Sequence, residues 1–276
     1  MAYKLQYLGL GGVLDQAVAI VKDKFGLLLG IMFLVMVPFE LAIGLLNISM
    51  MPTLYDNPTP EQSAAMLEAQ LAYLPYVLIG TMLYGFVVMP VTNAAVIQGV
   101  ARVYLGQPVT AVEALKHGLR RLIPLLWTNL LMMLAIFGGC LLLIIPGILF
   151  ALWFGLAQQV VVIEGVSGPA ALGRSKKLVR KHLGTFLLLG LIMFIISTVL
   201  NQIGVWIPQP HLSLVVVTLV QAAVTMLWSA ALVVFYFSCR CDVDQFDLHY
   251  LAQSMGADVV PVEQDELSTD ADYPNV

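Results

Sequence analysis

The chain has 276 residues, of which 60% are hydrophobic and 11% charged, and its formal net charge at pH 7 is −4. Its mean hydropathy is +0.90, whereas about a quarter of the residues in soluble globular domains are charged. This composition excludes an ordinary soluble domain and predicts an all-α, polytopic membrane protein.

Six apolar stretches are long enough to cross a hydrocarbon layer, which takes about 20 helical residues. They are 25–49, 73–100, 122–143, 148–163, 185–207 and 214–238. The third and fourth belong to one uncharged run, so the chain must fold back between them. We expect the turn at Ile145-Pro146-Gly147, because proline does not continue a helix and glycine accepts tight turns.

The distribution of basic residues predicts the topology. All 13 lysines and arginines fall before span one, between spans two and three, between spans four and five, or after span six. The loops on the opposite side contain none. By the positive-inside rule, both termini are predicted to be cytoplasmic.

The stretch 170–184 is the most basic part of the chain. On a helical wheel its five cations fall on one half and its apolar residues on the other, which predicts an amphipathic helix in the cytoplasmic interface with its apolar side toward the membrane. These cations and two from the preceding basic segment are candidates for binding anionic lipid headgroups. The seven candidates are Arg120, Arg121, Arg174, Lys176, Lys177, Arg180 and Lys181.

An internal repeat is the next feature of the sequence. Residues 12–26 align with 170–184 without gaps, and 110–124 shows the same order of features with about one helical turn less. The pattern predicts three units, each an interfacial helix followed by two spans, at about 9–100, 109–164 and 169–238. Similarity of this kind also arises from the shared requirements of membrane insertion.

Glu40 is the only acidic residue well inside a predicted span. It could carry protons or ions along a path, or it could be protonated or hydrogen-bonded to a hydroxyl such as that of Tyr84. The second alternative is favoured, since the spans offer no second charge to pair with Glu40. Amide side chains also occur in the spans, at Asn93, Gln98, Asn129, Gln158, Gln159, Asn201, Gln202 and Gln221.

Residues 242–276 carry nine acidic residues and no lysine or arginine. They predict an acidic cytoplasmic tail, disordered beyond about residue 258, after a six-span membrane domain at 1–241. Solvation of the terminus is its simplest role, and the alternatives are association with the basic face at 174–181 and recruitment of a basic partner.

Several short motifs together resemble a bacterial family. They are Leu14-Asp15-x-Ala17, Ile145-Pro146-Gly147-Ile148, Glu164 with Ala171-Leu172-x-x-Ser175, and Phe246-Asp247-Leu248. The chain is similar to YciC-like integral membrane proteins and to the membrane domain found ahead of some glycerophosphodiester phosphodiesterases. The resemblance implies this membrane fold in a bacterial inner membrane and transfers no catalytic residue. About 38 residues follow span six, too few for the phosphodiesterase domain.

The sequence shows no phosphate-binding loop, nucleotide fingerprint or nucleophile elbow, and its four histidines are scattered. We therefore expect no enzyme activity, cofactor or metal, and no nucleic-acid partner, because topology accounts for the basic helices. The expected function is that of a scaffold, accessory subunit or lipid-organising module at the cytoplasmic leaflet. Its partners would be anionic lipids and either another protein or a second copy of the chain. The alternative is a transporter or channel for a small or lipid-like solute, with Glu40 in the path.

Overall fold

A computed structural model describes residues 6–50 and 59–246, and the regular structure in these residues is helical. The predicted disorder beyond residue 258 lies outside the described residues. The α-helices of the described part are α1 Leu10–Asp23, α2 Phe25–Leu34, α3 Met36–Met50, α4 Pro60–Leu83, α5 Met89–Tyr104, α6 Ala111–Arg120, α7 Leu122–Leu142, α8 Ile144–Trp153, α9 Ala157–Gln159, α10 Pro169–Val179, α11 Leu183–Asn201 and α12 Pro210–Asp244. Two π-helical turns, Tyr84–Val88 and Val160–Glu164, and two 3-10 turns, Arg180–His182 and Gln202–Trp206, accompany them.

Five helical segments of the described part are long and apolar enough to cross a membrane. They are Glu61–Tyr104, Leu122–Leu142, Ile144–Glu164, Pro169–Gly204 and Pro210–Asp244. The pair α2 and α3, bent by 45°, makes a sixth if it is one span. Each predicted stretch falls on one of these segments, so the all-helical fold with five or six span-length helices is confirmed.

The helix of the second predicted span begins well before residue 73. Thr59 caps α4, accepting a hydrogen bond from the backbone N–H of Gln62 at 3.3 Å, while its own N–H donates to the Gln62 side chain at 2.9 Å. This reciprocal pair satisfies two of the backbone donors that a helix start leaves free. The helix then runs through Pro75 to Leu83.

The core of the bundle lies around the C-terminal half of α12. Residues 229–239 are buried without interruption, and they include the large side chains of Phe235, Tyr236 and Phe237. Helices α1, α3, α5 and α11 pack around α12. On the outside, apolar side chains such as Leu142 and Ile145 are mostly exposed, a pattern that indicates an interaction or membrane surface.

The turn between the third and fourth predicted spans lies two residues before the predicted position. Leu143 is extended (φ −164°, ψ 148°) and separates α7 from α8. Pro146 therefore lies in the first turn of α8, where the missing N–H has no helical partner to lose. Gly147 packs against α7, where an added Cβ would lie 2.1 Å from Cys140 Sγ. Gly147 thus permits close packing of the hairpin, and the Pro-Gly pair does not form its turn.

Residues of similar conformation precede the first and the fifth predicted spans. Lys24 (φ −122°, ψ 29°) follows α1 directly, and His182 (φ −122°, ψ 24°) ends the 3-10 turn that follows α10. The two residues are equivalent in the gapless alignment. Buried positions also correspond: Val13, Ala17 and Ile20 of α1 align with Ala171, Ser175 and Leu178 of α10. The similarity is closest between the first and third units, and the threefold repeat stays a prediction.

The apolar face of α10 is covered by protein, whereas the sequence predicts that it faces the membrane. Leu178 and Val179 are fully buried, and α10 packs on α7, α8 and α12. The Ser175 hydroxyl donates to the Trp153 carbonyl at 2.8 Å and accepts from the Leu156 N–H at 3.1 Å. Helix α10 is therefore built into the bundle and does not rest on its surface.

Four segments that flank the predicted spans meet at one end of the bundle. The Leu8 N–H donates to Ser238 Oγ at 2.8 Å, and a ring nitrogen of His117 in α6 lies 3.3 Å from the Val162 carbonyl oxygen. Contacts of α10 with the end of α12 complete this end, as described below. We call it the basic end, and it comprises residues 6–9, 105–121, 164–182 and 238–246.

Candidate functional sites

An ion-pair cluster occupies the basic end where α10 meets the end of α12. Its members are Glu164, Arg174, Tyr236, Arg240 and Asp244. Arg174 Nε donates to Glu164 at 3.0 Å, its Nη1 donates to Asp244 at 3.1 Å, and its Nη2 donates to both carboxylates. A planar guanidinium suits such paired contacts. The cluster therefore joins α10, the π turn that precedes it and α12.

Arg240 and Tyr236, one turn apart on α12, complete the cluster. The Tyr236 hydroxyl donates to Glu164 at 2.7 Å, and Arg240 Nε lies 3.5 Å from Asp244 and 3.8 Å from Glu164. The Arg240 guanidinium also lies over the ring of Phe246, 4.3 Å from its centroid. Two arginines and two carboxylates make the cluster formally neutral, and the four side chains are only 15–22% exposed.

The position of Arg174 differs from that of a free headgroup ligand. It is one of the seven residues predicted to bind lipid headgroups, but two carboxylates already engage its guanidinium. A helical wheel shows on which side of its own helix a residue lies, but it does not show which residues of other segments contact it. Glu164 and Asp244 lie 10 and 70 residues away in sequence, so a helical wheel of 170–184 predicts neither contact.

The other predicted headgroup residues also lie at the basic end. Arg120, Lys176, Lys177, Arg180 and Lys181 are exposed, and Arg121 is partly exposed. Lys176 Nζ lies over the Trp153 ring, 4.0 Å from its centroid, and Lys181 Nζ lies 3.5 Å from Asp242. Four of these cations share α10 and the turn after it, and we call them the cationic face: Lys176, Lys177, Arg180 and Lys181.

Glu40 accepts a hydrogen bond from the Tyr84 hydroxyl, as the second of its two sequence-based alternatives requires. The Tyr84 hydroxyl donates to Glu40 Oε1 at 2.5 Å, and the Tyr84 ring stacks with Phe39 at a centroid distance of 5.9 Å. Glu40 and Tyr84 line a cavity of about 230 Å³ together with Asn47 and Thr81. The π turn at Tyr84–Val88 carries the donor in this contact.

A cleft runs between α5, α8, α11 and α12. It consists of two adjoining cavities of about 540 and 380 Å³, which share Asn93, Gly190, Phe194 and Trp228 as lining residues. Volumes of this size fall in the range of small-molecule sites, about 300–1,000 Å³. The polar groups on its walls come from Asn93, Gln158, Gln159, Ser197, Gln221 and Thr225.

The cleft brings together four of the amide residues, which the sequence places in three different spans. Gln158 donates from Nε2 to Asn129 Oδ1 at 3.3 Å, which joins α7 to the fourth span. Gln159 is 2% exposed, and its Oε1 has no hydrogen-bond partner among residues 6–50 and 59–246. Asn201, by contrast, donates to Ser197 within its own helix. The sequence shows each of these amides separately, and only the packing of the helices reveals that they lie together.

Fold and sites together define an all-helical protein with helices able to cross a membrane and with polar groups gathered at one end and in one cleft. In the described part of the chain, no group of three or more His, Cys, Asp or Glu residues could hold a metal ion. Comparison of the chain with models of protein families, with curated proteins and with solved structures gives no match.

Proposed function

We propose that the chain is a non-catalytic, multi-pass protein of a bacterial inner membrane with both termini in the cytoplasm. It acts there as a scaffold, accessory subunit or lipid-organising module. The observation that carries the proposal is the cationic face, which is exposed while the carboxylates of Glu164 and Asp244 are engaged by Arg174.

Electrostatics favours anionic lipid as the ligand of this face. A Lys or Arg held near an anionic leaflet contributes about 1 kcal/mol, and the attraction decays within a Debye length. Four cations on one short segment would therefore bind an anionic leaflet, and this binding would weaken as the salt concentration rises. Asp242 offsets part of it, because its carboxylate lies beside Lys181.

The resemblance to the YciC-like family belongs to this proposal. Three of its motif residues lie at the basic end: Glu164 is in the ion-pair cluster, Ser175 joins α10 to the segment at 153–156, and Phe246 packs against Arg240. Glu164 and Ser175 each join α10 to a neighbouring segment. Such roles fit a family defined by a membrane fold.

Native mass spectrometry of the protein in vesicles of phosphatidylcholine and phosphatidylglycerol tests the proposal. The variant Lys176→Gln/Lys177→Gln/Arg180→Gln/Lys181→Gln should retain fewer phosphatidylglycerol molecules than the wild type. A matched control keeps every charge by exchanging lysine and arginine at the same four positions, and it should retain as many as the wild type. Equal retention by the neutral variant and the control would contradict a role in lipid binding.

A transporter or channel is the second candidate, and the cavity beside Glu40 is the observation that favours it. A carboxylate that carries protons must gain and lose them, which Glu40→Gln prevents. Proton-coupled uptake into proteoliposomes that Glu40→Gln abolishes would support this candidate. A scaffold would keep its assembly and its bound lipid in the same variant.

A further inference from the structure

The described part of the acidic tail already contacts α10. Asp242 Oδ2 lies 3.5 Å from Lys181 Nζ, and the Asp244 carboxylate is paired with the Arg174 guanidinium. Both carboxylates belong to the last turn of α12, and the chain continues from there into residues 247–276. The rest of the tail therefore starts beside the cationic face.

The tail and the cationic face carry opposite charges. Residues 242–276 hold nine acidic residues, so seven remain after Asp242 and Asp244, and they are accompanied by no lysine or arginine. The cationic face has four exposed cations, of which only Lys181 forms an ion pair within the described part of the chain. The carboxylates in the rest of the tail are therefore attracted to cations that have no carboxylate partner there.

The acidic residues of the tail are concentrated in one short segment. Six of the seven lie within 258–272, which we call the acidic segment: Asp258, Glu263, Asp265, Glu266, Asp270 and Asp272. The connection from Phe246 to residue 258 extends to at most about 40 Å, whereas the helix from Lys176 to Lys181 is only about 8 Å long. The connection is thus long enough for the acidic segment to reach every cation of the face, and it keeps the segment near α10.

We infer that the acidic segment docks on the cationic face of its own chain and competes there with anionic lipid. The inference rests on the proposed function, because the same face is the proposed lipid-binding surface. An anionic leaflet would displace the acidic segment, so the tail would allow lipid binding only where anionic lipid is dense. Salt would weaken the docking, because both partners are exposed to solvent.

Carbodiimide coupling tests this contact directly, because it joins a carboxylate to a lysine amine only where the two groups touch. The full-length protein is treated in phosphatidylcholine vesicles, digested and analysed by mass spectrometry. The acidic segment should be linked to Lys176, Lys177 and Lys181, and these links should be lost in vesicles rich in phosphatidylglycerol or at high salt. Lys116, which is exposed on α6 outside the cationic face, is the internal control for unspecific coupling.

Two tail variants test the competition with lipid. The neutral variant replaces the six carboxylates by amides: Asp258→Asn/Glu263→Gln/Asp265→Asn/Glu266→Gln/Asp270→Asn/Asp272→Asn. The matched control exchanges aspartate and glutamate at the same six positions and so keeps every charge. A tethered ligand has an effective concentration in the millimolar range, so a segment with millimolar affinity occupies its site about half of the time. In native mass spectrometry at a low fraction of phosphatidylglycerol, the neutral variant should therefore retain about twofold more of this lipid than the wild type, and the control should retain as much as the wild type.

Three results would overturn the inference. They are links to Lys116 as frequent as those to the cationic face, equal lipid retention by the neutral variant and its control, and links that join two different chains. Mixing isotope-labelled with unlabelled protein before coupling identifies links of the last kind.

Failure of the proposed function would give a different result. In that case, neutralising the cationic face would leave the retention of phosphatidylglycerol unchanged. The links formed in pure phosphatidylcholine do not depend on anionic lipid, so they would still show whether the acidic segment docks on the face.

Discussion

Arg174 and Asp244, which are 70 residues apart in sequence, form a bidentate ion pair that joins α10 to the last turn of α12. Glu164 receives the other edge of the same guanidinium. This ion pair therefore joins the most basic stretch of the chain, 170–184, to the start of its most acidic stretch, 242–276. Removal of Arg174 would leave two partly buried carboxylates without their bidentate partner, with Arg240 as the nearest cation and Tyr236 as a donor to Glu164.

The first prediction concerns stability. Arg174→Ala should lower the free energy of unfolding in detergent micelles by about 2–4 kcal/mol, since breaking a buried pair costs about 3–5 kcal/mol and this one is partly exposed. Arg174→Lys should lose less, because it keeps the charge but not the paired geometry. Thermal or denaturant unfolding followed by circular dichroism measures both changes.

Arg180→Ala is the matched control for Arg174. Arg180 lies on the same segment, is exposed and forms no ion pair within the described residues, so its loss should change the free energy of unfolding by less than about 0.5 kcal/mol. Equal losses for the two variants would mean that the ion-pair cluster does not hold α10 in place.

Hydropathy and charge predicted the helices well, because both depend on local composition. Each predicted apolar stretch falls on a span-length segment or, for 25–49, on the bent pair α2 and α3. Segments that flank the predicted spans, at 6–9, 105–121, 164–182 and 238–246, meet at one end of the bundle. Contacts between distant segments, such as Arg174 with Asp244, depend on how the helices pack and leave no periodic signal in the sequence.

The Pro-Gly pair at the predicted hairpin turn shows the same limit. The helix-breaking residue types predict a reversal near residue 145, and the break itself is at Leu143. Gly147 instead meets the facing helix, and only the three-dimensional distance to Cys140 reveals why a glycine is needed there.

The second prediction follows from this close contact. Gly147→Ala should destabilise the protein by about 1–3 kcal/mol, because the new methyl group would overlap Cys140 and force α7 and α8 apart. Gly138→Ala should be neutral or stabilising by up to about 1 kcal/mol, since its Cβ meets open space and alanine favours the helix. Unfolding in micelles distinguishes the two, and a stable Gly147→Ala would contradict the described hairpin.

His117 supplies a pH-dependent contribution to stability. Burial lowers the pKa of His117 below its usual value, and nearby positive charges of Arg121, Arg102 and Arg120 lower it further, while the contact with the Val162 carbonyl acts in the opposite direction. The unfolded chain, with a pKa of about 6.5 for this group, therefore binds more protons than the folded chain just below that pH.

The third prediction is that the free energy of unfolding decreases as the pH falls below about 6.5 and levels off below the folded-state pKa of His117. His117→Gln should make this part of the pH profile flatter, because the side chain no longer titrates. His211→Gln, a change at an exposed histidine, should leave the profile as it is. A profile with the same slope in all three proteins would assign the effect to other groups.

The last prediction concerns the contact between Tyr84 and Glu40. Tyr84→Phe removes the donor and leaves a part-buried carboxyl group without it, so the free energy of unfolding should fall by about 0.6–2 kcal/mol. Glu40→Gln should cost less, because its amide oxygen still accepts from the hydroxyl. Tyr76→Phe is the control, since the Tyr76 side chain is exposed on α4. If Tyr84→Phe and Tyr76→Phe unfold at the same temperature in micelles, the hydrogen bond does not stabilise the bundle, and Glu40 is then free to exchange partners as a transport path would require.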